Sequence, residues 1–272
     1  MSNEIQLEPL AHAEALRLAV LGAAPGEQRR NARGGIEWRQ MGRGEGKRDG
    51  PAQRMNKDVN DVGLIRALAS LGPPNVLVGH RIITPGDEDA LLPGERSTFR
   101  SSAPKIYRQS GAARIVARHL LGVFGFSDVV LSRSLSGAPV WPAGVVGSLA
   151  HDDSVAVAAI ARSREFSALG IDVEPADPLP PELITLVATP TERRCYPAAI
   201  VESRILFAVK EAIYKALNLF DGPFLDFQDI EVDLNASRGR TRNGQTLAIA
   251  FTNSPRVVAM SFDLASSIPS DR

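Results

Sequence analysis

The segment from Glu202 to Phe220 places the tightest limit on what this chain can fold into. Ile205, Leu206, Val209, Ile213, Ala216 and Leu217 recur at helical spacing and leave little of the circumference polar. Such a helix has to be covered on more than one side. The charges inside it, Lys210, Glu211 and Lys215, therefore need partners rather than solvent. Glu211 and Lys215 are four residues apart, which also suits a simple surface ion pair worth about a few tenths of a kcal/mol.

What covers that helix is read from the rest of the chain. Short β-rich runs occupy 75–83 (NVLVGHRII), 128–134 (DVVLSRS), 169–175 (LGIDVEP), 228–235, 245–252 and 256–263, with a further β-branched run inside 144–161. Helical periodicity marks 62–72, closed by Gly72 and the Pro73-Pro74 break, and 106–121, closed by Gly122. Residues 11–24 add a short candidate helix. Strands and helices mix without a βαβ rhythm, so the predicted class is α+β.

Composition removes several functions. The chain has 31 Lys and Arg against 31 Asp and Glu, a balance that argues against a dedicated nucleic-acid protein. The one cysteine, Cys195, excludes an internal disulfide and any cysteine-based metal cluster within one chain, and it fits a reducing compartment. Glu4, Glu8 and Glu14 precede the first basic residue, Arg17, the reverse of a secretory signal, and the apolar runs are too short to span a bilayer. The expectation is a cytoplasmic protein that engages neither membrane nor nucleic acid. Residues 29–57 stand apart, with nine Lys and Arg against three Asp and Glu and six glycines. They bury too little apolar surface to offset their ordering entropy and read as part of a flexible basic extension over 1–60.

Three segments carry chemistry. In Gly170-Ile171-Asp172-Val173-Glu174, strand alternation points Asp172 and Glu174 to one face while Leu169, Ile171 and Val173 take the other. Alone, this also fits the exposed polar face of a half-buried strand. In the helix, Lys210, Glu211 and Lys215 are set among apolar neighbours. In Gly147-Ser148-Leu149-Ala150-His151, a histidine follows a Gly-Ser pair and precedes Asp152-Asp153, at the end of an element. Two strand carboxylates and one helix carboxylate form a hard oxygen site suited to Mg²⁺, which keeps several waters and completes its shell with phosphate. Lysines beside such a site neutralise charge developing on phosphate.

The order GSLAH, LGIDVEP, FAVKEAIYKAL resembles the Sfp/EntD-type 4′-phosphopantetheinyl transferases, whose signature is G-S-x-[ST]-H, then G-I-D-x-E, then [FW]-x-x-K-E-[AS]-x-x-K-A. PGDEDALLPGE and GAPVWPAGVVGS resemble the EntD-like branch, and the likeness spans about 75–265. The resemblance implies two similar α+β halves related by a pseudo-twofold, placed here at 61–164 and 165–272, in a monomer with coenzyme A in the cleft between them. It implies Mg²⁺-dependent transfer of phosphopantetheine from coenzyme A to a serine of an apo acyl, peptidyl or aryl carrier protein, with release of 3′,5′-ADP. The EntD-like character tilts the pathway toward siderophore or other nonribosomal peptide synthesis. By the same resemblance Asp172, Glu174 and Glu211 are metal ligands, and Glu211 is also the base for the carrier serine. Lys215 stabilises the departing phosphate, Lys210 lies near the pyrophosphate, and His151 with Ser148 contacts the coenzyme. Ala150 stands where the family has Ser or Thr, so one hydroxyl contact is expected to be missing.

Residues 91–118 hold six basic groups against one acid, Glu95. In the family such a segment holds the adenosine 3′-phosphate, which nominates Arg114 and Arg118, with Lys105 and Arg108 left as alternatives. Two other classes compete. A metal-dependent nuclease would leave that basic segment unexplained and lacks an acid two residues before a site lysine, since Ala208 stands there. A non-catalytic coenzyme- or carrier-binding module would not need all three carboxylates and both lysines.

Overall fold

In a computed structural model the described residues are the backbone of 27–30 and 36–39, together with 61–99, 103–134, 137–196, 200–217 and 225–265. The chain divides into two compact units, Met1–Asp58 and Val59–Arg272. In the first unit, β1 (Glu27–Arg30) and β2 (Ile36–Arg39) pair antiparallel, Glu27 opposite Arg39 and Arg30 opposite Ile36. The sequence predicts no element there. The remainder of the basic stretch, and the helix expected over 11–24, lie outside the described residues.

The second unit is built on two antiparallel sheets, so the α+β class holds. After helix α1 (Asp61–Ala69) come β3 (Leu77–Ile82), the short helix α2 (Pro93–Arg96), the long helix α3 (Pro104–Val123) and the hairpin β4 (Val145–His151) and β5 (Val155–Arg162). Then β6 (Phe166–Pro175) leads to short helices α4 (Pro181–Val187) and α5 (Pro190–Cys195), the long helix α6 (Ile200–Ala216), and strands β7 (Ile230–Asp233), β8 (Arg238–Thr241), β9 (Thr246–Thr252) and β10 (Arg256–Leu264). The sheet orders are β3-β5-β4 and β6-β10-β9-β8-β7. In both, the last strand of the set lies beside the first, and one long helix separates the opening strand from the closing hairpin. The second sheet adds β7 and β8 at its far edge.

Alternation explains the layering. Along β5, Val155, Val157, Ala159 and Ala161 join β6, β10 and α1 in a central core with Ile171, Val173, Val258, Met260, Leu64 and Leu68. Ala158 and Ile160 turn the other way, onto Val116, Ala117, Leu120 and Leu121 of α3. The strand is apolar throughout because both of its faces are covered. The stack therefore reads α3, first sheet, second sheet, α6, with α6 resting on β6 and β10.

One glycine fixes the depth of that last contact. A Cβ on Gly170 would lie 1.9 Å from the Ala212 carbonyl oxygen, so α6 approaches the strand more closely than any side chain permits. Gly170 shares its face of β6 with Asp172 and Glu174, and the close approach therefore sets the height of the helix over both carboxylates.

Two departures from the sequence reading concern local structure. Residues 128–134 form no strand, only an isolated bridge between Arg133 and Pro139. The backbone of Leu131 is satisfied by side chains, its N–H donating to Glu95 and its carbonyl accepting from Arg114, while Ser132 and Ser134 bond across the local turn, to Val140 and Ala138. Helices α4 and α5 and strand β8 also arise where the sequence reading places nothing, although Thr189-Pro-Thr-Glu192 is a capping-box pattern and the structure uses it as one.

Candidate active site

Helix α6 presents one charged stripe to β6. At 100° per residue, Arg204, Ala208, Glu211 and Lys215 fall within about 60° of one another on the helix surface. Lys215 Nζ donates to Asp172 Oδ1 at 2.5 Å and to the Ile171 carbonyl at 3.3 Å. Arg204 Nη1 donates to Glu174 Oε2 at 2.9 Å, while its other nitrogens donate to the Asp177 and Pro178 carbonyls at 3.0 Å. Both strand carboxylates are buried, Asp172 at 3% and Glu174 at 4% exposure. Glu211 lies between the two cations on the stripe and is half-buried. Lys215 thus turns to the strand rather than serving only a pair with Glu211. The polar-surface reading of β6 is excluded by the same burial.

The donor set suits a hard cation. Asp172 Oδ2 is buried without a hydrogen-bond partner, an arrangement that is costly unless something positive or protic reaches it. As the side chains stand, no three His, Cys, Asp or Glu groups among the described residues converge on one point. Asp172 and Glu174, with Glu211 across from them on the helix, are the residues that could hold a divalent ion.

Lys210 is not brought to this stripe. Its ammonium is wholly buried and donates to Val187 O at 2.8 Å, Glu192 Oε2 at 2.7 Å and Phe227 O at 2.9 Å. It points about 100° around the helix from Glu211. The expected place beside a pyrophosphate does not fit a cation whose three hydrogens are already taken. On β4, Ser148 and Ala150 alternate onto the face that packs toward β6, and His151 falls on the α3 side with Leu149. Ala150 is 3% exposed within the central apolar core. At that position a hydroxyl would need a buried partner, so the alanine is a packing choice.

Comparison with known proteins bears on this arrangement. A profile of the 4′-phosphopantetheinyl transferase N-terminal domain matches residues 94–161, and one of the 4′-phosphopantetheinyl transferase superfamily matches 168–261. The second contains the whole carboxylate stripe. 4′-Phosphopantetheinyl transferase Svp of Streptomyces mobaraensis is 32% identical over 180 residues, covering 63% of this chain and 73% of Svp. 4′-Phosphopantetheinyl transferase Npt of Nocardia iowensis is 33% identical over 180 residues, covering 63% of this chain and 81% of Npt. The chain belongs to the 4′-phosphopantetheinyl transferase superfamily. A relative matched over a shorter stretch, enterobactin synthase component D of Escherichia coli, is 33% identical over 151 residues, covering 53% of this chain and 71% of that protein.

Within this superfamily member, the basic segment differs from its sequence reading. Arg114 is buried, donates to Leu131 O and Ser110 O, lies 3.6 Å from Glu95 and stacks over Phe99. Burial lowers its guanidinium to about 10. Arg118 donates to Glu95 Oε1 at 2.8 Å and to Ala90 O at 2.6 Å. Both side chains are committed to the fold and neither is placed to receive a phosphate. Arg108 holds Glu88 through two hydrogen bonds, and Lys105 meets Asp153 at 2.8 Å. Part of the positive excess over 91–118 is an effect of the window: Glu88 and Asp89, just upstream, pair with Arg108 and Arg96, and Asp153 pairs with Lys105. Of the four expected phosphate contacts, Arg108 and the exposed Lys105 keep surfaces that a ligand could reach. Arg204 is the residue the sequence reading missed. Its seven-residue spacing from Glu211 on an otherwise apolar helix was the available signal.

Proposed function

We propose that this protein transfers the 4′-phosphopantetheine arm of coenzyme A to a serine of an apo carrier protein and releases 3′,5′-ADP, with Mg²⁺ as cofactor. The observation that carries this reading is the unpartnered, buried Asp172 Oδ2 beside Lys215, on the face of β6 that Glu211 overlooks.

The chemistry is assigned to the second half. Bound Mg²⁺ supplies Lewis-acid stabilisation of the pyrophosphate oxygens. Asp172 and Glu174 would hold it, and Arg204 keeps the Glu174 carboxylate oriented. Glu211 accepts the proton of the carrier serine as its oxygen bonds to the β-phosphorus and the bond to the departing 3′,5′-ADP breaks. Lys215, already a donor next to Asp172, moves onto the charge that develops on the leaving phosphate. The close contact at Gly170 holds these groups at fixed height, and fixed placement is where most of the catalytic advantage in phosphoryl transfer arises. Ser148 and His151, at the end of β4, and Lys105 and Arg108, on α3, are the coenzyme contacts in this reading. It places coenzyme A between halves at 61–164 and 165–272 of a cytoplasmic monomer. No helix among the described residues is long and apolar enough to cross a membrane. Likeness to enterobactin synthase component D favours a carrier of siderophore or other nonribosomal peptide synthesis.

The test is an intact-mass assay in which the protein, coenzyme A and Mg²⁺ are mixed with a panel of apo acyl, peptidyl and aryl carriers. A mass gain of one pantetheine arm, lost on chelation, is expected. Release of adenosine phosphates without any carrier gaining mass would point to a phosphodiesterase instead.

A further inference from the structure

Glu95 and Glu192 are two buried carboxylates, 0% and 1% exposed, built by one local pattern. Pro93-Gly94-Glu95-Arg96 and Pro190-Thr191-Glu192-Arg193 each open a short helix, with Pro first and Glu third. Each glutamate turns back to accept the backbone N–H of its cap residue, Leu92 at 2.9 Å and Thr189 at 2.7 Å. Each accepts a second backbone N–H from far along its own half, Leu131 at 2.9 Å and Val232 at 2.7 Å. Each takes a cation from the long helix, Arg118 at 2.8 Å and Lys210 at 2.7 Å. Even the following arginines agree. Arg96 donates to Glu88 O and Leu91 O, and Arg193 to Thr185 O and Ala188 O, in both cases eight and five residues upstream.

The two halves differ in what lies under the helix. Two and four residues after Gly170 on β6 come Asp172 and Glu174. Two and four residues after Gly79, on and just past β3, come Arg81 and Ile83. The clamp is therefore present where the carboxylate pair is not, which separates its role from phosphate chemistry. What it does in both places is tie a short helix, a long helix and a later segment to one buried carboxylate. In the second half the tie fixes the rotation of α6, since Lys210 is anchored to α4, α5 and the turn before β7 through Val187, Glu192 and Phe227.

We propose that Lys210 is a positioning residue: held by Glu192, it sets the rotation of α6 that turns Glu211 and Lys215 toward β6, and it touches no substrate. The inference rests on the transferase reading for what Glu211 and Lys215 do, but the clamp can be tested without it. The experiment is a double-mutant cycle of Lys210→Met, Glu192→Gln and both together, with thermal unfolding, coenzyme A KM and kcat as readouts. Either single substitution leaves a buried group without its partner, whereas the pair removes both, so the effects should not add. Expected are a fall in kcat of about tenfold or more in each single variant, KM within about twofold of wild type, and a double variant no worse than the poorer single one. A KM rise of about tenfold confined to Lys210→Met, with Glu192→Gln silent and the two effects multiplying, would overturn the proposal. If Lys210→Met does not fold, Lys210→Arg, which keeps a charge on Glu192, decides on the same split: steady KM with lowered kcat supports the clamp and raised KM contradicts it. If the wild type transfers nothing, the transferase reading fails, and the unfolding midpoints still decide the clamp, coupling supporting it and additivity contradicting it.

Discussion

The two long helices of the second unit serve similar scaffolds and opposite ends. Helix α3 spends its inner cations on structure: Arg114 and Arg118 converge on Glu95. Helix α6 delegates that task to Lys210 alone and keeps Arg204, Glu211 and Lys215 for the face over β6. The two helices differ in charge, four cations and no acid on α3 against three cations and two acids on α6, and they differ again in where their partners lie. On α3 the acid shared by Arg114 and Arg118 comes from α2, just before the helix, so those pairs are closed within the scaffold. On α6 two of the acids come from the strand below it, and one of their oxygens is left over. A duplicated framework can thus hold a reactive centre in one copy and a set of braces in the other.

Substitutions at matched places separate these roles most sharply. Lys215→Met should lower transfer by about 100-fold or more, as loss of a group aimed at developing charge does. Arg118→Met should cost about 1–3 kcal/mol of stability by removing one of the two cations on the buried Glu95 carboxylate, with turnover per folded molecule unchanged. Chemical denaturation and active-site-normalised rates measure the two. If Arg118→Met instead spared stability and weakened coenzyme binding, the division between the halves would break.

The glycines under the helices give the next contrast. Gly170→Ala sets a Cβ against the backbone oxygen of Ala212, which cannot move without the helix, and should cost about 3 kcal/mol along with most activity. Gly79→Ala meets Val116 Cγ1 at 2.9 Å, a side chain that can shift, and should cost about 1 kcal/mol. Unfolding midpoints of the two variants check the order.

The smallest effect is an acid one. A hydrogen bond from Arg108 holds the Glu88 carboxyl down to about 2 from an ordinary 4.5. A carboxyl lowered in the folded state stabilises the protein above its unfolded value and loses that contribution as pH falls toward the folded one. Wild type should therefore lose stability between pH 4.5 and 2 more steeply than Arg108→Leu, in which only backbone hydrogen bonds still hold the Glu88 carboxyl down. The position in the second half that answers to Glu88 is Thr185, so Thr185→Ala should leave this acid limb unaltered. Unfolding midpoints followed against pH show both.

These comparisons also show what could be read before the structure. Strand β6 and helix α6 were legible because each is specified locally, one by alternation and the other by periodicity with Lys215 and Glu211 four apart. Their juxtaposition was legible only through the order of three motifs. The fate of Lys210 was not, because its acceptors, Val187 O, Glu192 and Phe227 O, come from three remote segments and two of them are backbone oxygens that leave no mark in a sequence. The basic segment misled for a related reason. Charge counted along the chain ignores Glu88 and Asp153, which lie outside the window and meet Arg108 and Lys105 inside the fold. Residues 128–134 read as a strand because of Val129, Val130 and Leu131, yet the Leu131 backbone is taken by Glu95 and Arg114.

The central claim is that transfer depends on the charged face of α6 over β6, and Glu211→Gln tests it most directly. The substitution keeps shape and removes the charge. With wild type giving carrier a mass gain in the presence of coenzyme A and Mg²⁺, the variant should lose about 10²–10⁴-fold in rate while its unfolding midpoint stays in place. A Glu211→Gln protein that loads carrier at the wild-type rate would contradict the account.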